Sequence, residues 1–289
     1  MNTPPVLAVV GDLLEDVVVW NAGSIRRGTD SPATIHRTRG GSAANVAAAA
    51  ASELAVRFIG KVGNDPLGDQ LETAMRDLGI EVRLQRGGKT GTVVVLVDET
   101  GERDMIPDRG AAGEFDAIDP SWLDGVSWLH VPLYAFATPA TARATTDFVA
   151  VAHARGVPVS IDASSVSLLE GLGVESARRL VDHLNPALVF ANADEAALLG
   201  LLNSAPPAGR TIVVKRGADP VLVVWTAGMA EFPVEPVTAV LDSTGAGDCF
   251  AAAFLVAQLR SEPLGAAVMQ ASRAAGKSLA NPGSVSTAP

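Results

Sequence analysis

The chain has one cysteine, Cys249, among 289 residues. A single thiol excludes an internal disulfide framework and fits a reducing compartment. Basic residues are also scarce: 22 Lys and Arg stand against 32 Asp and Glu, for a formal net charge of −10. That balance argues against nucleic acid or an anionic membrane as the main partner. It leaves room for a nucleotide, because one phosphate site can be locally positive inside an acidic protein. No apolar run is long enough to span a bilayer, and Met1-Asn2-Thr3-Pro4-Pro5 lacks the basic stretch that opens a signal peptide. The expectation is a soluble, cytoplasmic chain. The four histidines, His36, His130, His153 and His183, are scattered without zinc-ligand spacing. No Gly-x-Ser-x-Gly elbow appears. No Gly-x-Gly-x-x-Gly follows the first strand, which speaks against a dinucleotide dehydrogenase. Internal repeats, low-complexity tails and charge runs are absent too.

What is present is ample core material, 48% hydrophobic residues, in a strand–helix rhythm. Val6 to Val10 is a continuous apolar run ending at Gly11-Asp12, the pattern of a buried parallel strand. Further strands are expected at Val56 to Gly60, Val126 to His130, Val157 to Ile161 reaching Asp162, Ala187 to Phe190 reaching Asn192, Thr211 to Lys215 and Val221 to Trp225. Between them lie helical patterns. Arg39-Gly40-Gly41-Ser42-Ala43-Ala44-Asn45 opens an alanine-rich helix through Ala51. Asp65-Pro66 starts another, with Leu67, Leu71, Met75 and Leu78 on one face and Gly79 at its end. Pro139 to Ala154 is capped by Thr138 and closed by Gly156. A helix also follows Asn192 to Leu199. This alternation implies a mostly parallel sheet covered by helices on both faces. Ligands in such folds bind beyond the carboxyl ends of the strands. Two stretches break the rhythm: β-prone segments near residues 13–38, and a hairpin pattern at 90–107 around the polar turn Asp98 to Glu102. Asn203 to Gly209 is a surface loop.

The stretch with the densest chemistry is Leu241-Asp242-Ser243-Thr244-Gly245-Ala246-Gly247-Asp248-Cys249-Phe250. It reads as a glycine turn running into a helix, with Phe250, Ala253, Phe254 and Ala257 on one apolar face. Glycines let another molecule approach the backbone. The free N–H groups and dipole of a helix start suit an anion such as phosphate. Asp248 stands beside that anion site, where a carboxylate can take a proton from a hydroxyl attacking phosphorus. The plain alternative is an acidic residue near a helix dipole.

The Asp-x-Thr-Gly-Ala-Gly-Asp core, here Asp242, Thr244, Gly245, Ala246, Gly247 and Asp248, resembles the C-terminal signature of the ribokinase (PfkB) family of carbohydrate kinases. Gly40-Gly41 with Asn45 resembles its N-terminal signature. The first strand, the Gly-Gly motif, Asn192-x-x-Glu195 and the glycine turn occur in the family's order, so the resemblance covers nearly the whole chain. It implies a ribokinase-like three-layer α/β/α sandwich forming a single kinase domain. The two insertions would build a small β-lid over the substrate, often also a dimer surface.

The activity implied is transfer of the γ-phosphoryl group of ATP to a hydroxyl of a sugar or sugar-like molecule. Asp248 would be the base, with Gly245, Ala246 and Gly247 as the anion hole. Asp12, Asp16, Gly40, Gly41 and Asn45 would hold the acceptor. Asn192, Lys215, Gly217, Thr244, Gly245 and Gly247 would hold the nucleotide. Glu195 would serve in the outer shell of Mg²⁺, and Asp242 beside a monovalent cation such as K⁺. Each has a plainer reading: a helix start for Gly40, Gly41 and Asn45, turn carboxylates for Asp16 and Asp242, a capping box for Asn192 and Glu195, and a solvated pair for Lys215-Arg216.

The chain departs from ribokinase proper at Leu14, where an Asn is usual, and at Ser42, where a Lys is usual. Pro220 replaces a family glycine. A nucleoside or vitamin-precursor kinase on the same fold is the rival among enzymes. A nucleotide-binding regulatory protein without catalysis is the rival of another class. Gly276-Lys277-Ser278 looks like part of a P-loop, but Leu264, Val268, Ala275 and Leu279 run at helical spacing through it, so it reads as helix. Cys249 reads as a small packed residue.

Overall fold

The computed structural model describes residues 4–20, 28–98, 103–237 and 244–279. The N-terminal part runs β1 (Val6–Val10), β2 (Leu14–Trp20), β3 (Thr34–Gly40), α1 (Ser42–Ala50), β4 (Ala55–Val62), α2 (Pro66–Asp77), β5 (Glu81–Arg86), β6 (Thr90–Val97) and β7 (Arg103–Gly110). The middle follows with β8 (Trp128–Pro132), α3 (Pro139–Ala154), β9 (Val159–Asp162), α4 (Val166–Leu172), α5 (Val174–Leu184), β10 (Leu188–Asn192) and α6 (Ala193–Leu199). The chain then forms β11 (Thr211–Arg216), β12 (Asp219–Trp225), β13 (Gly228–Phe232), α7 (Ala246–Leu259) and α8 (Leu264–Leu279).

The large sheet has the order β13-β12-β11-β10-β9-β8-β1-β4-β5. It is parallel from β11 across to β5, and β12 and β13 add an antiparallel edge. The continuous apolar runs are explained by burial on both faces. Leu7 and Val9 of β1 point into a core shared with α1, α2, α7 and α8. Ala8 and Val10, one residue out of phase, point into the opposite core, under α3 to α6. The period of two along each strand thus feeds two separate cores and gives three layers, as the strand pattern predicts.

The small sheet has the order β3-β2-β6-β7. Its outer pairs are antiparallel and its central pair, β2 with β6, is parallel. Leu14, Val93, Val95, Val97 and Ala112 form its core. Asp16 lies opposite Val93, Val93 opposite Pro107 and Val95 opposite Met105, so these side chains share one face. The other face carries Ile35, 58% exposed, and Ile106, 57% exposed. The strands run on to Gly40 and Gly110, beyond the bounds the sequence suggests. Most of the expected polar turn, 99–102, lies outside the described residues.

Several local expectations change. Arg39 and Gly40 finish β3 rather than opening a helix, and α1 starts at Ser42 after Gly41. Lys215 and Arg216 belong to β11 rather than to the loop after it. Leu78, at the end of α2, is 45% exposed, while Leu71 and Met75 are buried. Ala253 is only partly buried beside Phe250, Phe254 and Ala257. Four elements carry no sequence expectation: β5, β13, α4 and α5. β5 and β13 are edge strands with little burial. The seven-residue α4 ends at Gly173 and is too short to show a period, whereas α5 buries Ala177, Val181 and Leu184 at helical spacing, a signal present in the sequence. The P-loop-like residues sit inside α8, as the helical spacing predicts. No helix among the described residues is long and apolar enough to cross a membrane.

Asp65 ties the two sheets together. As the N-cap of α2 it accepts from Gly68 N at 2.8 Å, and it accepts from Thr90 Oγ1 at 2.6 Å and Thr90 N at 2.7 Å at the start of β6. Asp65→Ala is expected to lower stability by about 1–3 kcal/mol, since it removes a cap and strands a buried donor. Urea unfolding should show a lower midpoint at unchanged slope.

Candidate active site

A cleft of about 750 Å³ opens beyond the carboxyl ends of the parallel strands, under the small sheet. The sheet delivers one polar side chain after another to its floor. Asp12 follows β1, Asp162 ends β9, Asn192 ends β10 and Lys215 lies near the end of β11. Asp16, Val93 and Val95 close it from above. The glycine turn enters from the side: Thr244, Gly245, Gly247 and Asp248 all line the cleft. Gly245 caps α7 in the left-handed region, φ 76°, which suits glycine. The first N–H groups of α7 have no partner within the helix and form an anion cradle.

Asp248 sits in the first turn of α7. Its Oδ1 accepts from Ser42 Oγ at 2.6 Å, and its Oδ2 accepts from Asn45 Nδ2 at 2.9 Å. Burial raises its pKa to about 6, against the opposing effect of those two hydrogen bonds. Gly41 makes this approach of α1 possible. Its φ is 99°, and a Cβ there would press on the Asp12 carbonyl. Gly40 packs beneath the Asp16 carboxylate, where a side chain would overlap it.

Two further carboxylates face the same end of the cleft. Burial raises Asp12 to about 6, opposed by Arg109, whose Nη2 lies 2.5 Å from Asp12 Oδ1. Arg109 Nη2 also donates to the Tyr134 carbonyl at 2.7 Å, and its buried Nε has no partner. Burial likewise raises Asp16 to about 6, opposed by Arg39 and reinforced by Asp248 and Glu15. Asn45, expected to bond an acceptor, uses its amide internally: Nδ2 goes to Asp248 and Oδ1 accepts from Arg39 Nη1 at 3.0 Å.

At the other end Lys215 Nζ contacts Asp162 Oδ2 at 2.8 Å, while Asp162 Oδ1 accepts from Ser164 N at 2.8 Å. A Cβ added at Gly247 would lie 3.2 Å from Lys215 Nζ, so the ammonium rests against the glycine turn. Burial penalises that ammonium, but Asp162, Glu195 and Asp248 together outweigh it and raise its pKa. Gly217 lines the cleft from the turn after β11. Asn192 and Glu195 form a full capping box, Asn192 N to Glu195 Oε2 and Glu195 N to Asn192 Oδ1, each at 2.8 Å. Burial raises the Glu195 pKa, and Asp162 adds to the effect.

The cleft therefore gathers every expected site residue within the described chain except two. Gly40 sits just behind Asp16, and Ala246 does not line the cleft. Asp242 lies outside the described residues. Ser42, Arg39, Arg109 and Tyr134 had no expected role here, and Asp162 was expected only as a strand-end residue where ligands bind. Arg39 adjoins the Gly-Gly pair and Asp162 ends a strand, so both carried a signal; Arg109 and Tyr134 carried none. Burial raises the Cys249 thiol, as befits a packed residue.

Among the described residues no group of three or more His, Cys, Asp or Glu is placed to hold a metal directly. Both Glu195 oxygens already accept from Asn192. Lone pairs remain on them, so the donor set fits water-mediated contact to a cation carried by a phosphate chain.

A doubly covered parallel sheet, a helix N-terminus opening on the cleft and a buried carboxylate beside it suit phosphoryl transfer. The chain belongs to the PfkB family: "pfkB family carbohydrate kinase" matches residues 6–289. An ATP-dependent ribose-1-phosphate kinase of Halopiger xanaduensis is 33% identical over 253 residues, covering 80% of this chain and 77% of that protein. A ribokinase of Bacillus subtilis is 29% identical over 290 residues, covering 94% and 92%. The crystal structure of adenosine kinase from Sinorhizobium meliloti superposes with a TM-score of 0.84 at 22% identity, over 99% of this chain and 97% of that one. The protein is an ATP-dependent kinase that phosphorylates a hydroxyl of a sugar or sugar-like small molecule.

The Lys215–Asp162 pair is largely shielded from water. Lys215→Met should destabilise the protein by about 3–5 kcal/mol, because it leaves a buried carboxylate alone. Adding Asp162→Asn should return much of that loss, as read from urea midpoints of the single and double variants.

Proposed function

We propose that Asp248 is the general base and that the glycine turn stabilises the phosphoryl group in flight. The observation that carries this reading is the double clamp on Asp248 by Ser42 and Asn45 at 2.6 and 2.9 Å, at the mouth of an anion cradle. The clamp holds the carboxylate while lone pairs remain for a third donor, the acceptor hydroxyl. Asp12 and Asp16, with Gly40, Gly41 and Asn45 shaping the wall behind them, grip the acceptor's other hydroxyls. Asp248 takes the proton as the hydroxyl oxygen attacks the γ-phosphorus. Main-chain N–H groups of Gly245, Ala246 and Gly247 meet the growing negative charge. Lys215, against the same turn, offers a cation, and Asn192, Gly217 and Thr244 line the nucleotide side. Mg²⁺ bound with ATP supplies charge neutralisation on the phosphate chain, with Asn192 and Glu195 reaching it through water. Asp242 is assigned to a monovalent cation; turnover unchanged by removing K⁺ would withdraw that assignment.

The chain acts as one kinase domain with the small sheet as its lid. The apolar outer face of the lid, with Ile35 and Ile106 exposed, supports a homodimer formed through it. ATP as co-substrate and a lone thiol fit a cytoplasmic enzyme.

One feature favours a nucleoside as a second reading for the acceptor. The lid side of the cleft presents Leu14, Val93, Val95, Met105 and Pro107, an apolar ledge suited to a planar base. ADP release across pentoses, hexoses, sugar acids and nucleosides decides between the two. Turnover with any of them excludes a non-catalytic nucleotide-binding protein.

Asp248→Asn should cut kcat by roughly 10²–10⁴ while leaving ATP affinity nearly intact. A base must be unprotonated to act. With Asp248 near 6, kcat/KM should therefore rise with pH through about 6 and then level. Unchanged turnover in the variant would remove Asp248 from this role.

A further inference from the structure

We infer that Arg39 is a positioning residue that aligns the base through Asn45. The inference rests on Asp248 being the base. Arg39 ends the lid strand β3, opposite Glu15 of β2, and is 7% exposed. Its Nη1 donates to Asn45 Oδ1 at 3.0 Å, and Asn45 Nδ2 donates to Asp248 Oδ2 at 2.9 Å. The chemistry of the three groups fixes the order. A guanidinium has donors only, so the amide must turn its oxygen to Arg39. The amide nitrogen then necessarily faces the carboxylate. With Arg39 gone, an amide turned over to accept from a protonated Asp248 gives up no contact with a cation, so the protonated acid is favoured.

Charge points the same way. Asp16 from β2, Arg39 from β3, Tyr134 from the turn after β8, Asp162 from β9 and Lys215 from β11 surround Asp248, with Cys249 beside it on α7. The two neighbouring carboxylates oppose its ionisation. Lys215 favours it, but Lys215 is engaged with Asp162. On the other side, Arg109 is engaged with Asp12, and Arg39 is the cation whose charge bears on both Asp248 and Asp16. Burial pushes its guanidinium down to about 10, while Asp248 and Asp16 act to keep it charged, so it carries its charge at neutral pH.

The test compares Arg39→Met, Arg39→Gln, Arg39→Lys, Asn45→Ala, the Arg39→Met/Asn45→Ala double variant and Asp248→Asn. Each is assayed for kcat/KM from about pH 5 to 9 with the best acceptor, and for ATP binding by calorimetry as a check of folding. In Arg39→Met the acid limb should move up by about one pH unit, with kcat at neutral pH down roughly tenfold and ATP affinity within about twofold. Much of the rate should return at high pH. Arg39→Gln, which keeps a donor for Asn45 but no charge, should show a smaller shift, and Arg39→Lys should recover part of the rate. Because Arg39 acts through Asn45 as well as by its charge, the loss in the double variant should fall well short of the product of the two single losses. An unmoved acid limb in Arg39→Met and Arg39→Gln, or losses that multiply in the double variant, would overturn the inference. If Asp248→Asn itself keeps the limb, the base assignment has failed. If Asp248→Asn abolishes it and the Arg39 variants leave it in place, only the Arg39 inference has failed.

Discussion

The structure turns on two hydrogen bonds that cross about two hundred residues of sequence, from Ser42 and Asn45 to Asp248. They join the start of α1 to the start of α7. Both helices lie on the same face of the sheet, in one apolar core. That shared core brings two helix N-termini together at the cleft, where their unpaired N–H groups and dipoles are available to anions. The polar contacts are few and the packing beneath them is extensive. Alanines at 43, 44, 47 and 50 are all buried, and their small side chains let α1 settle close to α7 and to β1.

The cleft is crowded with charge that the fold isolates from water. Three carboxylates, Asp12, Asp16 and Asp248, stand at one end of it, with Arg109 and Arg39 among them. A fourth, Asp162, is matched by Lys215 beside the glycine turn. The small sheet contributes both arginines, from near the ends of β3 and β7. Seating it over the large sheet therefore completes the electrostatics of that end of the cleft as well as its shape.

Much of this could be read from the chain alone, for definite reasons. The parallel sheet was legible because strands buried on two faces become unbroken apolar runs such as Val6–Val10. The candidate site was legible through the order of its motifs: the Gly-Gly pair with Asn45, Asn192-x-x-Glu195 and the glycine turn each have a plainer local reading, and their succession along the chain points to one cleft. The edge strands of the large sheet, β5 and β13, were not legible. β5 alternates charged and apolar residues and buries little, and its position is set by pairing with β4. Nor was the pairing of the small sheet's two hairpins through β2 and β6, since a register that sets Asp16 against Val93, seventy-seven residues on, leaves no local trace. Arg109 was invisible for the same reason. Nothing near it in sequence hints at Asp12, which lies ninety-seven residues earlier.

The three buried acids at that end of the cleft tie the stability of the fold to pH. Each binds its proton more tightly in the folded chain, near 6, than at the ordinary value of 3.8. Their contribution to stability is complete below about 4 and is lost as pH rises through about 6. The empty enzyme is thus held together less firmly at the pH where its acids are ionised and ready to work. The acceptor and nucleotide, by binding only the folded form, restore part of what that readiness removes.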